Sequence, residues 1–115
     1  MSYTVEYYEK DDGTFPVEEF ILEQDNKVQA KIFSILEILE EKGPALREPY
    51  SKQLDKGIFE IRVRQGDTYR ILYFFVTGKR AILTNGFVKK TQKTPRKEID
   101  IAKDRRKHFE EREGL

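Results

Sequence analysis

The spacing of apolar residues changes from a helical to a strand period near the middle of this 115-residue chain. Between residues 25 and 42 the apolar side chains recur three or four positions apart, which is typical of one face of an α-helix. These positions are Val28, Ile32, Ile35, Leu36 and Leu39. From residue 58 onwards the period is two, because Phe59, Ile61 and Val63 alternate with polar side chains. Helices followed by strands predict an α+β fold.

Two helices are predicted in the first half of the chain. The first follows Thr14, a candidate N-cap, and has Pro16 at its start. The second begins after the candidate N-cap Asp25 and ends at Gly43. Because only a short connection separates them, we expect a helical hairpin with one apolar stripe. Residues 3–10 alternate in the manner of a strand that adds to the edge of a sheet.

The second half predicts a three-stranded antiparallel meander with tight turns at Gln65–Asp67 and Thr77-Gly78. Its strands cover residues 58–64, 68–76 and 79–88. With the first strand added, the prediction is a small antiparallel β-sheet of about four strands. A short extended piece at residues 51–54 is an open alternative within the preceding loop.

A peripheral helix is predicted at the end of the chain. Thr94 is its candidate N-cap, and Pro95 is placed in the first helical position. The helix then runs over residues 96–114 with few apolar positions, so we expect it to lie on the sheet or to project from it. No repeat or linker divides the chain, and residues 1–115 are interpreted as a single domain.

The net charge of +1 conceals a separation of charge along the chain. Residues 1–48 hold five basic and twelve acidic side chains, whereas residues 49–115 hold seventeen basic and nine acidic ones. Residues 85–100 alone contain five Lys and Arg side chains. Such a concentration of positive charge predicts a polyanionic partner on one face of the molecule, and an ordinary solvated surface is the alternative.

The composition excludes several classes of site. One histidine and no cysteine cannot supply the ligands of a zinc site. His108 lies on a highly charged predicted helix and is interpreted as a surface side chain rather than a general base. Phosphate-binding-loop, dinucleotide-binding and nucleophile-elbow motifs do not occur in the sequence. No segment resembles a signal peptide or a membrane-spanning helix, so we expect a cytoplasmic protein with no membrane partner.

A cluster of cationic side chains is predicted on the sheet. Arg62 and Arg64 share one face of their strand, and Arg70 enters the next strand across a tight turn, so these three can converge. Lysines that flank the strands, together with a helix N-terminus near Pro95, would complete a site for phosphate groups. These lysines are Lys52, Lys56, Lys89, Lys90 and Lys93.

Aromatic residues near this cluster are able to stack on nucleobases. They are Tyr50, Tyr69, Tyr73 and Phe87, of which the last two lie within apolar strand patterns that are more typical of a core. A site of this kind can cleave RNA without a metal. The RNA 2′-OH attacks the adjacent phosphorus, cationic side chains stabilise the charge on the phosphoryl oxygens, and a lysine or tyrosine transfers protons. Neighbouring arginines would have to lower the pKa of such a lysine.

Three segments of the sequence resemble the RelE/HigB toxin superfamily, and in particular its phage-derived branch. They are 54-LDKGIFEIRVR-64, 69-YRILYFF-75 and 85-NGFVKKTQKTPRKEIDIA-102. The resemblance extends from Tyr3 to about Lys107. It implies a RelE-like fold and the toxin of a type II toxin–antitoxin pair, an endoribonuclease that cleaves mRNA on the ribosome and uses neither metal nor cofactor.

The resemblance also implies roles for individual residues. The catalytic set would be Arg62, Arg64, Arg70 and Lys90. The predicted RNA-binding residues are Lys89, Lys93 and Asn85 of the resembling segment, together with Lys52, Lys56 and Tyr50, which follow from the pattern of charged and aromatic residues. Asn85 occupies the position where many members of the branch have a histidine, so a lysine or the ribosomal RNA would have to assist proton transfer.

Two kinds of partner are expected from the resemblance. One is mRNA held by the ribosome, and the other is a cognate antitoxin of the helix-turn-helix, HigA-like kind, with an acidic segment attracted to the same positive face. Two alternatives to cleavage remain open. One is a non-cleaving toxin similar to the gyrase inhibitors of the superfamily, and the other is a phage or prophage remnant that binds nucleic acid.

Overall fold

The computed structural model describes residues 2–90 and 93–115. In chain order the elements are β1 (Thr4–Tyr7), α1 (Pro16–Leu22), α2 (Asn26–Lys42), a 3₁₀ turn (Gly43–Ala45), β2 (Ser51–Asp55), β3 (Ile58–Gln65), β4 (Asp67–Val76), β5 (Arg80–Lys89) and α3 (Arg96–Glu113). The predicted α+β class is confirmed. None of these helices is both long enough and apolar enough to span a membrane, within the part of the chain that the structure describes.

The sheet has five strands in the order β1-β5-β4-β3-β2. The predicted meander is confirmed, since β3, β4 and β5 pair antiparallel. The prediction of about four antiparallel strands was wrong in two respects. The extended piece at residues 51–54 is a full edge strand, β2, and β1 pairs parallel with β5, which makes the sheet mixed. The apolar period of a strand is the same whether its partner runs parallel or antiparallel. The sequence therefore did not indicate the direction of β1 relative to β5.

The predicted helical hairpin corresponds only in part to the structure, because α1 has only seven residues. Thr14 does not cap α1; its hydroxyl group donates a hydrogen bond to Asp12, and Phe15 is the N-cap residue. Asp25 does cap α2, since its carboxylate accepts a hydrogen bond from the backbone N–H of Val28 at 3.0 Å. Both helices cover one face of the sheet through buried apolar residues.

Gly86 allows α1 to approach the sheet closely. A Cβ atom at this position of β5 would lie 2.5 Å from the ring of Phe20, far inside van der Waals contact. The glycine of the segment 85-NGF-87 is therefore required by the packing of α1 and need not contact any ligand.

α3 covers the opposite face of the sheet. Of the two predicted placements, the helix therefore lies on the sheet and does not project from it. Ile99, Ala102 and Phe109 are buried against a second apolar cluster that includes Leu72 and Phe74 of β4. α3 begins at Arg96, whose guanidinium group forms an ion pair with Asp55 at the end of the edge strand β2. On the α3 face, the ends of β3, β4 and β5 that carry Arg62, Arg70 and Lys89 extend beyond the first turn of this helix, which contacts β5 at Asn85.

Candidate nucleic-acid interface

Basic side chains from four neighbouring strands lie on the uncovered end of the α3 face. The register pairs Lys52 of β2 with Glu60 of β3, and Arg62 of β3 with Arg70 of β4. Because side chains alternate between faces, Lys89 at the end of β5 shares this face. The predicted convergence of Arg62 and Arg70 therefore agrees with the observed register.

Glu60 lies at the centre of this group and is fully buried. Its Oε2 atom forms an ion pair with Nη1 of Arg70 and accepts a hydrogen bond from Nε of Arg62 at 3.3 Å. Two arginines directly opposite each other on a sheet repel one another. The carboxylate between them offsets that repulsion and holds both guanidinium groups in place.

Thr94 connects this ion pair to the segment before α3. Its Oγ1 atom donates a hydrogen bond of 2.6 Å to Oε1 of Glu60, and Nζ of Lys89 lies 3.5 Å from the same hydroxyl oxygen. The prediction that Thr94 caps the last helix was wrong, and Pro95 is the N-cap residue instead of the first helical one. The hydroxyl group of Thr94 therefore forms a hydrogen bond with the buried Glu60 carboxylate and does not cap the helix N-terminus.

The environment changes the proton affinity of two of these groups. Burial, followed by the positive charge of Arg70, lowers the pKa of Lys89 below its ordinary value. Burial also lowers the pKa of Arg70, and the nearby Glu60 carboxylate opposes this effect. Nε of Arg70 is buried without a hydrogen-bond partner within the described residues. A buried donor of this kind is costly to leave unpaired.

A groove of about 160 Å³ opens above these residues. Lys52 and Gln53 of β2 form one wall, Glu60 and Arg62 form the floor, and Lys89 with the segment Lys93–Thr94 forms the other wall. We call this the basic groove. Its shape and charge suit a phosphodiester, because cationic groups approach the anion from both walls while Arg62 lies in the floor, with the buried Arg70 opposite it on β4.

Comparison with known protein families assigns the chain to one of them. Residues 19–107 match the family described as Phage derived protein Gp49-like (DUF891). The chain belongs to this Gp49-like family. It is a RelE/HigB-like toxin family, and the matched residues include every strand of the basic groove. No individual curated protein matches the chain.

The basic groove of this Gp49-like protein contains some of the predicted site residues, and others lie elsewhere. Arg64 is exposed on β3 beyond the groove, and Lys90 is exposed directly after β5. Lys56 lies in the turn between β2 and β3, roughly 13 Å along the strand from Arg62. The catalytic and RNA-binding roles assigned to these residues stay predictions.

Asn85 is buried in the Gp49-like protein and contacts α3. Its Nδ2 atom donates hydrogen bonds to the backbone oxygen of Glu98 at 3.2 Å and to the Glu98 carboxylate at 3.0 Å. Its Oδ1 atom accepts a hydrogen bond from Thr84. The predicted contact with RNA stays a prediction, whereas the structure gives Asn85 a role in holding the first turn of α3.

The aromatic residues divide into buried and exposed ones, as their sequence patterns indicate. Tyr73 is buried in the core, with its hydroxyl group hydrogen bonded to Ser51, and Phe87 packs partly buried against the α3 cluster. Tyr50 is 40% exposed. His108 lies away from the groove. Its ring nitrogens contact the hydroxyl group of Tyr8 and the carboxylate of Asp11, so the side chain has two protein partners instead of solvent alone.

Glu60 and Thr94, which join the cations of the groove to one another, were not predicted as site residues from the sequence. A signal for Glu60 was present, because it precedes Arg62 by two positions and therefore shares its strand face. No local signal indicated Thr94, since a threonine before proline at a helix start is most simply interpreted as a cap. Among residues 2–90 and 93–115, no group of three histidine or acidic side chains is arranged to hold a metal ion.

Proposed function

We propose that this Gp49-like protein is the toxin of a type II toxin–antitoxin pair and cleaves mRNA as an endoribonuclease. The observation that carries the proposal is the arrangement in which buried Glu60 holds Arg62 and Arg70 side by side below a groove with lysines on both walls. Oriented cationic donors in a poorly solvated site stabilise the negative charge that develops during phosphoryl transfer.

The proposed reaction is attack of the RNA 2′-oxygen on the adjacent phosphorus. The O2′–P bond forms while the P–O5′ bond breaks, which leaves a 2′,3′-cyclic phosphate and a 5′-hydroxyl end. Arg62, which lines the groove, binds a non-bridging oxygen, and the buried Arg70 opposite it adds positive charge. Lys89 accepts the proton of the 2′-OH, because its lowered pKa increases the share of neutral amine at pH 7.

Lys52 is our candidate for the opposite proton transfer. It lies on the far wall of the basic groove from Lys89, and an in-line displacement needs its acid and base on opposite sides of the phosphorus. As an ammonium group it can donate a proton to the departing O5′ atom. Glu60 then acts as a positioning residue, because its charge holds Arg62 in the floor and Arg70 opposite it on β4.

The proposed partners follow from the same surface. Translated mRNA is the substrate, with the ribosome as the place of cleavage, and a helix-turn-helix antitoxin with an acidic segment is the inhibitor. Because both partners are polyanions, they would compete for the basic groove. A non-cleaving inhibitor is the second candidate, favoured by the absence of a histidine from the groove.

The test is primer extension on a translated reporter message during brief induction of the protein. We expect new 5′ ends within the reading frame for the native chain and their loss for Arg70→Lys and Arg62→Ala. Arg70→Lys retains the charge opposite Glu60 and removes the guanidinium fork, which keeps the ion pair while altering phosphate binding. Lys107→Ala, an exposed change on α3, is the control.

The possible outcomes separate the two candidates. Cleavage by Lys107→Ala but not by the two arginine variants, all of them folded by circular dichroism, supports the endoribonuclease. An intact message during arrested growth would instead favour the non-cleaving inhibitor. Undiminished cleavage by both arginine variants would remove the basic groove from the reaction.

A further inference from the structure

A second depression, of about 300 Å³, lies beside the basic groove on the other side of Arg62. It is lined by Lys31 and Ile35 of α2, by Pro49 and Tyr50 of the loop before β2, and by residues 62–64 of β3. We propose that this depression, named here the Tyr50 pocket, is a subsite for one nucleobase of the bound RNA strand. The inference rests on the proposed function, since it concerns the same substrate.

The lining of the Tyr50 pocket has the chemistry that a nucleotide requires. Tyr50 leaves an aromatic ring 40% exposed at the surface, and the buried side chains of Ile35 and Val63 form an apolar floor. Bases stack on such rings without regard to sequence. Lys31 and Arg64 add positive charge at the rim, and no acidic side chain belongs to the described lining.

Arg62 joins the Tyr50 pocket to the basic groove, because it lines both. Its Nε atom faces Glu60 in the groove, and its Nη1 atom forms a 3.0 Å ion pair with Glu48 on the loop beside the pocket. A phosphate held in the groove therefore has the pocket directly beside it. A single strand that crosses Arg62 can place the phosphate on one side and a neighbouring base on the other.

The edge of β3 adds hydrogen-bonding groups to the Tyr50 pocket. The backbone N–H of Arg62 donates to the carbonyl oxygen of Tyr50 at 2.9 Å, so this side of β3 faces the loop. Two residues further on, Arg64 directs its N–H and C=O groups the same way. In the described part of the chain, β2 pairs with β3 only as far as Ile61. The edge of a nucleobase can form hydrogen bonds with the backbone N–H and C=O groups of Arg64.

A protein strand is the competing occupant, and the pocket fits it less well. The open edge of β3 extends only over residues 63–65, which is short for the addition of a strand. Three cationic side chains around one aromatic ring are better matched to a nucleotide, which offers an anion and a flat ring together.

The test measures binding of the full-length protein to a short single-stranded RNA that carries 2′-O-methyl groups and is therefore not cleaved. A set of otherwise identical strands has one abasic nucleotide at successive positions. We expect one abasic position to weaken binding to the native chain about tenfold, the effect of losing one stacked base. Tyr50→Ala should bind the intact strand about tenfold more weakly and show no further loss with the abasic strand.

Matched variants make the result specific. Tyr50→Phe should retain the native affinity and the abasic effect, because the ring remains. Lys31→Ala should weaken binding, whereas Lys27→Ala, one turn earlier on α2, should leave it unchanged. An abasic effect that persists in full in Tyr50→Ala would overturn the subsite.

Arg62→Ala separates this inference from the proposed function. If it weakens binding while Tyr50→Ala binds like the native chain, the groove is supported and the base subsite is overturned. If Arg62→Ala binds RNA as well as the native chain does, the proposed function fails and the subsite fails with it.

Discussion

The Glu60 carboxylate forms a buried ion pair with the Arg70 guanidinium group on the neighbouring strand. The same oxygen also accepts from Arg62, so one anion organises two cations that would otherwise repel each other across the β3–β4 ladder. Such an arrangement keeps the arginines oriented before any ligand arrives. It also sets a condition on binding, since a phosphate in the basic groove must share Arg62 with the buried Glu60 carboxylate.

Removing the Glu60 charge should destabilise the fold strongly. Glu60→Gln leaves Arg70 buried without its counter-ion, and breaking a buried pair in this way costs about 3–5 kcal/mol. The free energy of unfolding in urea measures the loss. The control is Glu6→Gln, which breaks the partly exposed Glu6–Arg80 pair and should cost about 1 kcal/mol or less. Equal losses in the two variants would contradict a special role for the buried pair.

The basic groove was partly predictable from the sequence because strand periodicity determines which side chains share a face. Arg62 and Arg70 could be placed together from alternation and a tight turn. The carboxylate that holds them follows from the same alternation, but only the register shows that it reaches the opposite strand. A hydrogen bond such as that from Thr94 to Glu60 joins residues 34 positions apart, and no local pattern indicates it.

The edges of the sheet were harder to predict than its centre. The central strand β4 is nearly continuously apolar because it is covered on both faces. β2 lies at an edge, where most of its side chains are at least partly exposed, so its composition resembles that of a loop. The parallel pairing of β1 depends on the path of the two intervening helices. Asn85 had a polar side chain in a basic motif, which suggested a ligand contact, yet it is buried against α3.

RNA binding should depend on salt through the number of phosphates that the protein neutralises. For single strands the slope of log K against log salt is about −0.7 for each phosphate contact. Lys52→Ala and Arg64→Ala should each reduce the slope by about 0.7, whereas Lys107→Ala should leave it unchanged. Fluorescence anisotropy at four or five salt concentrations gives the slopes. Identical slopes for all four proteins would indicate that these side chains are ordinary solvated surface.

Lys89 should make stability depend on pH in the alkaline range. Its pKa is lower in the folded protein than its ordinary value of 10.5, so between these two values the unfolded chain binds more protons. The free energy of unfolding therefore rises with pH across this interval. Below the folded-state pKa both states are protonated, and the penalty for burying the charge is present in full.

Lys89→Met removes this titration and so provides the measurement. The stability of the variant relative to the native chain should be greatest near pH 7 and should decline towards pH 10, as measured by urea unfolding at intervals of one pH unit. Lys107→Met, at an exposed position, is the control for replacing a lysine by methionine. A constant difference for Lys89→Met would mean that burial does not alter the proton affinity of this amine.

Asn85→Ala should loosen α3 from the sheet. The substitution removes hydrogen bonds to the backbone oxygen and the carboxylate of the partly buried Glu98, and each such bond contributes about 0.5–1.5 kcal/mol. Amide hydrogen exchange should accelerate in the first turns of α3, with α2 unchanged, because only α3 loses a contact. Asn26→Ala, at the exposed start of α2, is the matched control and should change stability by less than about 0.5 kcal/mol. Unchanged exchange in α3 would mean that its apolar contacts through Ile99, Ala102 and Phe109 suffice to hold it.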